Sequence, residues 1–515
     1  MPAHARVPAD GVRRVGPGSR SASGTVSDQS ARTREHGFGL FWLVGVSLAF
    51  MLAVLLFTPM RTALAWDETV YASQISQHLP MLWSAERARG MPLLVAPVTL
   101  MTGSATVLRV YLTLLAGVGL FAALLCWRRL RPDWVLALAG LVFGGLWIVE
   151  SQASQVFPNF WIAIGALAGV GLFLRIAAGL GRGGSVVLVG VAAAFTSLMR
   201  PPDALAAFGP LLLATVVLML RGRADRRAQL GTLWGAAIAM VLGLVVGVGE
   251  WVVESNRYFG GPLHRLKLQS SAVGGTKFAP FDSLRILSGG RVSSVPGYPS
   301  IKGWSDPRLL VWWLAFALIA VLGVYVTWRA KGWLLALTPF ACAVCEYLLY
   351  TLPARDATRY LQPTWALLAI SAADGLAWLL TRPNGWQRLA AILVAAAFLG
   401  TELVTQHAVL MTQKASYTAE AQLISNASNA LRQAGVTAPC VITSVDRPNF
   451  SDLSEPAAYA LGCNYKWTMA RVGAAHGSRI IVMVLGSAPP FPYAKSWPSR
   501  KLPGGVIAYL EPASG

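Results

Sequence analysis

Long apolar segments almost free of charge recur along this sequence and restrict the chain to a membrane-embedded fold. The first segment, 39–59, holds no charged residue and is long enough to cross the hydrocarbon core of a bilayer. Further apolar segments lie at 106–125, 134–148, 160–174, 185–198, 204–220, 233–253, 309–327, 333–352, 361–380 and 389–404. Soluble domains carry about 25% charged residues, whereas this chain carries 13%. The sequence therefore predicts a polytopic α-helical membrane protein with about 11 transmembrane helices.

The positions of arginine and lysine predict on which side of the membrane each loop lies. Basic residues concentrate in alternate loops, at 128–131, 175–182, 221–227, 329–331 and 382–388. Because short basic loops are retained in the cytoplasm, they indicate a cytoplasmic N-terminus and, with an odd number of spans, a C-terminus outside. We therefore expect a multi-pass protein of the plasma or inner membrane. Retention of basic loops in the cytoplasm and their contact with anionic lipid account for the formal charge of +20. We therefore expect no nucleic-acid partner.

Residues 1–37 differ from the rest of the chain because they are rich in Ser, Gly, Arg and Pro and lack apolar periodicity. We expect them to form a disordered cytoplasmic tail. Residues 38–411 would then form the transmembrane domain, with outer loops at 61–105 and 254–308. A cleaved signal peptide is the alternative for the first segment, since Ala63-Leu64-Ala65 resembles a cleavage site. The long tail and the full-length apolar run favour an uncleaved span.

The last part of the chain, 412–515, is more polar and predicts a small extracytoplasmic α/β domain. Its pattern indicates a helix over 418–432 and strands at 441–445, 480–485 and 506–510. Cys440 and Cys463 both lie here, and an even pair of cysteines in an exported domain is typical of a disulfide.

Two adjacent acidic residues, Asp67 and Glu68, follow the first span and would emerge on the outer side. A carboxylate at the membrane surface beside an apolar wall can abstract a proton near neutral pH. The alternative is structural: 67–79 has the pattern of an interfacial helix, which Asp67 could cap while Glu68 complements its dipole. The residues alone leave both interpretations open.

Other polar residues are predicted on the same outer side. Glu150 closes the third span, Arg200 lies in the turn between the fifth and sixth spans, and Arg359-Tyr360 leads into the tenth. An arginine at an outer helix end binds a phosphate through paired donors, and it equally pairs with a lipid headgroup or a neighbouring aspartate.

Acidic residues within the predicted spans are candidates for an ion path. Glu346, Asp374 and Glu402 could serve such a path, pair with Arg109 or line a polar cavity. On the outer side, His264 could join Glu86 or Asp67 around a divalent metal ion. No metal-binding spacing supports this site, and a single loop histidine is usually solvated.

Three short motifs resemble the GT-C glycosyltransferases, multispanning enzymes that take sugars from polyprenyl-phosphate carriers. The sequence Trp66-Asp67-Glu68-Thr69-Val70-Tyr71-Ala72 follows one span as their acidic pair and interfacial helix do. Val156-Phe157-Pro158-Asn159-Phe160 resembles their second outer loop, and Arg359-Tyr360-Leu361-Gln362-Pro363 resembles their entry to a late span. Within this family, the arrangement resembles the protein O-mannosyltransferase and lipid A aminoarabinose transferase group.

The resemblance implies roles for individual residues. Asp67 would be the catalytic base, and Glu68 would help by positioning or metal contact. Donor-phosphate contacts would come from Arg359 with Tyr360, Arg200 and Arg87. Asn159 stands where the family often has an acidic residue, and Glu150 is the nearest substitute.

The expected activity is therefore transfer of a sugar from a polyprenyl-phosphate carrier to an acceptor hydroxyl outside the membrane, with inversion. Membrane lipid is an expected partner, the acceptor would be a glycan, lipid or protein, and a divalent metal is the one cofactor considered. Two alternatives remain: a secondary transporter or flippase that uses Glu346 and Asp374, and a catalytically silent scaffold for cell-envelope assembly.

Overall fold

The chain folds into a bundle of apolar helices with a small mixed sheet at its C-terminal end. The computed structural model describes residues 25–76, 84–181, 183–221, 227–272, 307–351, 358–381, 385–445, 451–466, 478–485 and 490–512. Its helices are α1 Thr25–Phe57, α2 Trp66–Ser73, α3 Gly90–Thr99, α4 Ala105–Leu125, α5 Asp133–Gly144, α6 Trp147–Ala153, α7 Pro158–Ala177, α8 Gly183–Met199, α9 Pro201–Leu220, α10 Arg227–Tyr258, α11 Pro262–Ala272, α12 Pro307–Lys331, α13 Trp333–Thr351, α14 Gln362–Leu380, α15 Gly385–Gln433 and α16 Ser451–Leu461. A 3₁₀ helix, Thr358–Leu361, precedes α14.

The described residues contain nine helices that are long and apolar enough to cross a membrane. Helices α5 and α6 meet at an angle of 81°, and a tenth span results if the two are counted as one broken helix. The predicted segment 134–148 is thus interrupted at Gly144-Gly145, because paired glycines favour a sharp bend. Another predicted span, 185–198, corresponds to helix α8, which has 17 residues and is too short to be one of the nine. The chain is a multi-pass membrane protein, and the count of about 11 stays a prediction.

Helix α7 occupies the centre of the bundle, and nearly all its residues are buried. It packs against α4, α8, α9 and α14. The approach to α9 is close: a Cβ atom added at Gly169 would lie 2.5 Å from the Phe208 ring. Van der Waals packing through small residues holds membrane helices together where lipid provides no hydrophobic drive. The core of the protein therefore surrounds α7, which begins within the motif 156–160.

The predicted N-terminal tail differs from the structure over 25–37, where α1 has already begun. Helix propagation from an existing turn costs far less than nucleation, so the membrane span extends its helix into this polar segment. Residues 1–24 lie outside the described part of the chain.

Helix α15 is 49 residues long and runs from the membrane into the C-terminal domain without a break. The expected domain boundary at 411/412 falls inside this helix, so no break in the backbone marks it, and the boundary stays a prediction. The end of α15 packs with α16 on one face of the sheet, where Ile424 and Leu431 join Ile442 and Ile481 in a common core.

The C-terminal sheet confirms the predicted α/β unit. Its strands are β1 Cys440–Ser444, β2 Asn464–Lys466, β3 Arg479–Leu485, β4 Ser499–Leu502 and β5 Val506–Leu510, in the order β2-β1-β3-β5-β4. Strand β1 runs parallel to β2 and β3, and β5 runs antiparallel to β3 and β4. Cys440 at the start of β1 and Cys463 just after α16 form a disulfide across a separation of 23 residues.

Candidate functional site

Helix α2 directs its two acidic residues to different surroundings. Residue Ala65 precedes the helix, and its backbone N–H donates to Glu68 Oε2 at 3.0 Å. Glu68 thus satisfies the helix N-terminus, while Asp67 does not cap it. The helix ends at Ser73, which is shorter than the predicted 67–79, and 77–79 lies outside the described residues.

The Glu68 carboxylate is buried, and both of its oxygens accept hydrogen bonds. Arg109 of α4 donates from Nη1 to Oε1 at 3.0 Å and from Nη2 to Oε2 at 2.8 Å. The backbone N–H of Val156 also donates to Oε1, at 3.1 Å. With only 1% of its side chain exposed, Glu68 links α2 to α4 and to the segment between α6 and α7. This geometry gives it a structural role and does not support the expected part in catalysis or metal contact.

Asp67 faces a cavity and lies between two arginines. Arg359 Nη2 donates to Asp67 Oδ2 at 2.8 Å, and Arg87 Nη2 donates to Oδ1. Burial alone would raise the pKa of Asp67, but Arg359 and then Arg87 outweigh it and hold the pKa below the ordinary 3.8. Asp67 is therefore an ionised carboxylate at neutral pH, with 22% of its side chain exposed.

The cavity has a volume of about 430 Å³ and combines a polar end with an apolar wall. The polar end is formed by Asp67, Glu86, Arg87, Asn159, Arg200, Arg359 and Tyr360. The apolar wall is formed by residues of α9, α10, α11 and α13, among them Pro202, Leu205, Val248, Leu266 and Leu349. Leu205 and Leu266 are about half exposed. Such a cavity suits an amphiphilic ligand whose charged head meets the arginines.

Arg87 is held in place by a hydrogen bond, a cation–π contact and a second arginine that binds its backbone carbonyl. Its Nη1 donates to Ser84 Oγ at 2.7 Å, and its guanidinium lies 4.6 Å from the Trp66 ring centroid. Behind it, Arg265 of α11 donates from Nη2 to the Arg87 carbonyl at 2.8 Å and from Nε to the Ala85 carbonyl at 2.9 Å. Sequence reasoning missed Arg265, since a fully buried arginine that binds backbone carbonyls has no local signature.

Arg359 lies on the 3₁₀ helix that precedes α14. Its guanidinium carbon is 4.7 Å from the Phe157 ring centroid and 5.5 Å from the Tyr360 ring. Cation–π contacts of this kind orient a guanidinium without consuming its N–H donors. Arg359 therefore keeps a fixed position with donors directed into the cavity.

Arg200 forms a second cationic position in the same cavity. It donates from Nη2 to Asn159 Oδ1 at 2.9 Å and from Nη1 to the Tyr350 hydroxyl at 2.9 Å, and it lies 4.7 Å from the Tyr360 ring. Buried Asp203 accepts hydrogen bonds from both Arg200 and Tyr350. Asp203 and Tyr350 were absent from the predicted site. Asp203 lies only three residues after Arg200, whereas Tyr350 reaches Arg200 only through tertiary packing.

Two helix N-termini also meet the polar end. Pro158 and Pro201 stand in the first turns of α7 and α9, where proline is favoured, and both line the cavity. The positive end of a helix dipole favours an anion. Pro201 and Pro202 have no N–H, so α9 contributes its dipole and not backbone donors at these positions. Together with three arginines, they make this end of the cavity suited to a phosphate group.

Some expected site residues lie elsewhere. Glu150, in α6, does not line the cavity. His264 is exposed on α11, and its Nδ1 is 2.6 Å from the Phe259 carbonyl. Among the described residues, no group of three or more His, Cys, Asp or Glu side chains could hold a metal ion. The metal site predicted at His264 and Glu86 therefore has no preformed ligand set, and a metal requirement stays a prediction.

The acids within the spans differ in their partners. Asp374 is paired with Arg131, whose Nε lies 2.7 Å from both carboxylate oxygens, and it accepts from Thr327 at 2.9 Å. The expected pairing of such an acid with Arg109 is not observed. The buried carboxylates of Glu346 and Glu402 have no hydrogen-bond partner within the described part of the chain.

Comparison with known proteins identifies the fold. Neither a protein-family model nor a curated protein sequence matches this chain. The crystal structure of ArnT from Cupriavidus metallidurans bound to undecaprenyl phosphate is similar over 92% of this chain and 98% of ArnT, with a TM-score of 0.59 and 15% identity.

A second similar structure is the Archaeoglobus fulgidus oligosaccharyltransferase tethered with an acceptor peptide, over 82% of this chain and 64% of that protein (TM-score 0.51, 12% identity). The archaeal enzyme in complex with an inhibitory peptide and a dolichol-phosphate reaches a TM-score of 0.50 at 12% identity. These likenesses establish the architecture of the chain.

Proposed function

We propose, from the premise that this chain has the fold of the GT-C membrane glycosyltransferases, that it transfers a sugar from a polyprenyl-phosphate carrier to an acceptor hydroxyl. One observation carries the proposal. An ionised aspartate and two guanidiniums meet at the polar end of a cavity whose opposite wall is apolar. The apolar wall would receive the first isoprene units of the carrier, and the arginines would receive its phosphate.

The reaction we propose uses Asp67 as a general base. The acceptor O–H transfers its proton to a carboxylate oxygen of Asp67 while the acceptor oxygen forms a bond to the anomeric carbon. The bond from that carbon to the phosphate oxygen breaks, and its electron pair stays on the polyprenyl phosphate. Attack opposite the leaving group inverts the anomeric centre.

Arg87 and Arg359 would stabilise the charge that develops on the departing phosphate. The cluster of Asp67 and these two arginines carries one excess positive charge, which a single phosphodiester neutralises. As the phosphodiester becomes a monoester, the second negative charge would meet donors already in place. Arg200, bound to Asn159, would contact the sugar or the acceptor at the other side of the polar end.

Substitution of the base tests this proposal directly. Asp67→Asn should lower transfer from a panel of synthetic polyprenyl-phosphate sugars to cell-envelope acceptors by at least about 100-fold. The control is Asp133→Asn, because Asp133 pairs with Arg128 outside the cavity. Full activity of Asp67→Asn in membranes, with both variants inserted at wild-type levels, would reject Asp67 as the base.

A transporter is the second candidate, favoured by the unpartnered buried carboxylate of Glu346. Its other expected acid, Asp374, is neutralised by Arg131, which leaves a proton or ion path with one group fewer. Proton-coupled uptake in proteoliposomes that is lost in Glu346→Gln, without any glycosyl product, would favour this candidate over the enzyme.

A further inference from the structure

The two arginines at Asp67 create a conflict with its task as a base. Asp67 Oδ1 accepts from Arg87 and Asp67 Oδ2 accepts from Arg359, so both oxygens are occupied by cationic donors. A general base works best with a pKa near the working pH and with a lone pair directed at the acceptor hydroxyl. The donor phosphate needs the same two guanidiniums.

The arginines have supports that do not involve Asp67. Arg87 is held by Ser84 Oγ and by the ring of Trp66. Arg359 is held between the rings of Phe157 and Tyr360. Their guanidiniums would therefore stay in position if the carboxylate turned away. Asp67 is partly exposed on the first turn of α2 and has other staggered rotamers available to it.

We infer that Asp67 occupies the place of two donor-phosphate oxygens until the donor binds, and that the phosphate then takes Arg87 and Arg359 and releases Asp67 to act as the base. This inference rests on the proposed function, because it assumes a phosphate-bearing lipid as the ligand. Carboxylate and phosphate both offer paired oxygens to a guanidinium, so the exchange replaces each charge-assisted hydrogen bond with another of the same kind.

The exchange has a consequence for reactivity. Within the described part of the chain, the charged and titratable groups that face Asp67 are Arg359, Arg87 and, one turn further along α2, Tyr71. Burial raises the pKa of Tyr71 to about 12, so this hydroxyl stays neutral. Once the phosphodiester offsets one of the two positive charges and Asp67 no longer bonds to either guanidinium, burial has the larger effect and the pKa of Asp67 rises, which strengthens it as a base. The base would thus become active only when the donor is in place.

Removal of the Asp67 charge should therefore strengthen phosphate binding while it abolishes transfer. Asp67→Asn and Asp67→Ser should bind undecaprenyl phosphate about tenfold tighter than wild type, as expected if the Asp67-bound arrangement is populated about nine-tenths of the time. Native mass spectrometry of the purified full chain in detergent measures the affinity. Undecaprenol, which lacks the phosphate, should bind all variants equally.

Controls separate this inference from the proposed function. Glu86→Gln removes a carboxylate from the same cavity that forms no salt bridge among the described residues, so its gain in affinity should be smaller than that of Asp67→Asn. Equal or weaker binding of undecaprenyl phosphate by folded Asp67→Asn and Asp67→Ser, with normal binding by wild type, overturns the inference and leaves the enzyme proposal standing. Failure of folded wild type to prefer undecaprenyl phosphate over undecaprenol overturns both.

Discussion

Two neighbouring carboxylates in this protein have different tasks because of where a helix begins. Glu68 accepts from Ala65 and Arg109 inside the bundle, whereas Asp67 faces the cavity and its arginines. Consecutive residues on an α-helix point about 100° apart, so one residue contacts the core while the other faces the ligand. The sequence indicated both a catalytic and a structural task for the pair, and it could not assign them, because the partners of Glu68 lie far along the chain.

Loss of the Glu68 charge should destabilise the fold. Glu68→Gln leaves the Arg109 guanidinium, itself 4% exposed, without its counter-ion. Breaking a buried ion pair by removing one partner typically costs about 3–5 kcal/mol. We expect a clear drop in the thermal unfolding temperature in detergent, and a smaller drop for Asp67→Asn, because the Asp67 side chain is 22% exposed. An unchanged unfolding temperature for Glu68→Gln would contradict the structural task assigned to Glu68.

The pH dependence of transfer should report the two environments of Asp67. Burial opposes ionisation, but Arg359 and Arg87 hold the pKa of Asp67 below 3.8 before the donor binds. A carboxyl with a depressed pKa is ionised above that pKa and loses its charge only as the pH falls through it. The acid limb of kcat/KM, which reports the free enzyme, should therefore lie below the ordinary range for aspartate.

The acid limb of kcat reports the donor complex, and it should lie at higher pH if phosphate has taken the arginines. Steady-state rates measured across pH with a fixed donor provide both profiles. Coincident acid limbs would show that Asp67 keeps its arginines during turnover. The ion pairs of Asp67 with Arg359 and Arg87 also stabilise the fold, and this stabilisation should be lost only in strong acid, where Asp67 is protonated.

At the scale of elements, apolar periodicity predicted nearly every span to within a few residues. It missed the break between α5 and α6, and it missed that α15 continues past the membrane. Hydropathy indicates where a segment leaves the lipid. A helix ends instead where its backbone hydrogen bonds or dihedral angles no longer continue. The polar stretch after residue 411 keeps helical propensity, so α15 carries the fold from the bundle into the C-terminal sheet.

Arg265 of α11 should control the phosphate site without touching the ligand. Its guanidinium binds the carbonyls of Ala85 and Arg87 and pairs with Glu254. Arg265→Gln should weaken undecaprenyl phosphate binding about tenfold and raise KM more than it lowers kcat, because the loop that carries Arg87 loosens. Hydrogen exchange should rise at 84–89.

The conservative variant distinguishes position from charge. Arg265→Lys keeps the charge but lacks the planar fork that reaches several acceptors, so it should restore the binding only in small part. Full restoration by lysine, or unchanged exchange at 84–89 in Arg265→Gln, would show that Arg265 does not position Arg87.

The C-terminal disulfide should stabilise the domain that supports α2. Cys440 and Cys463 enclose α16, which packs against α2. Closure of a loop of this length is worth about 3 kcal/mol in the chain-entropy model. Cys440→Ser/Cys463→Ser should make 434–512 more sensitive to limited proteolysis and lower transfer. Equal proteolysis of the variant and wild type would contradict a stabilising disulfide.

At the scale of the whole molecule, the packing of α16 on α2 puts the C-terminal sheet and Asp67 at the same end of the bundle. The arrangement of basic loops predicts that this end is extracytoplasmic. Alkaline phosphatase fused after Gly515 should therefore be active, and green fluorescent protein fused there should not fluoresce. The reverse result would put the site in the cytoplasm, where the proposed lipid-linked donor would not be needed.

The overall architecture was more predictable than the site. Hydrophobic length and loop charge are repeated along the chain, so they identified the membrane class and, with three short motifs, the fold. The site depends on single contacts across the bundle, such as Arg200 with Tyr350 and Arg265 with Arg87. The sequence indicated Arg359 and Asp67 separately, and their contact required the full fold.

A structure with bound undecaprenyl phosphate tests the central claim most directly. Single-particle microscopy of the protein in lipid nanodiscs, with this lipid added, should place the phosphate between Arg87 and Arg359, with the carbon chain along Leu205 and Val248. The Asp67 carboxylate should have turned away from both guanidiniums toward the open part of the cavity. A phosphate bound elsewhere, with Asp67 still bonded to both arginines, would contradict the account.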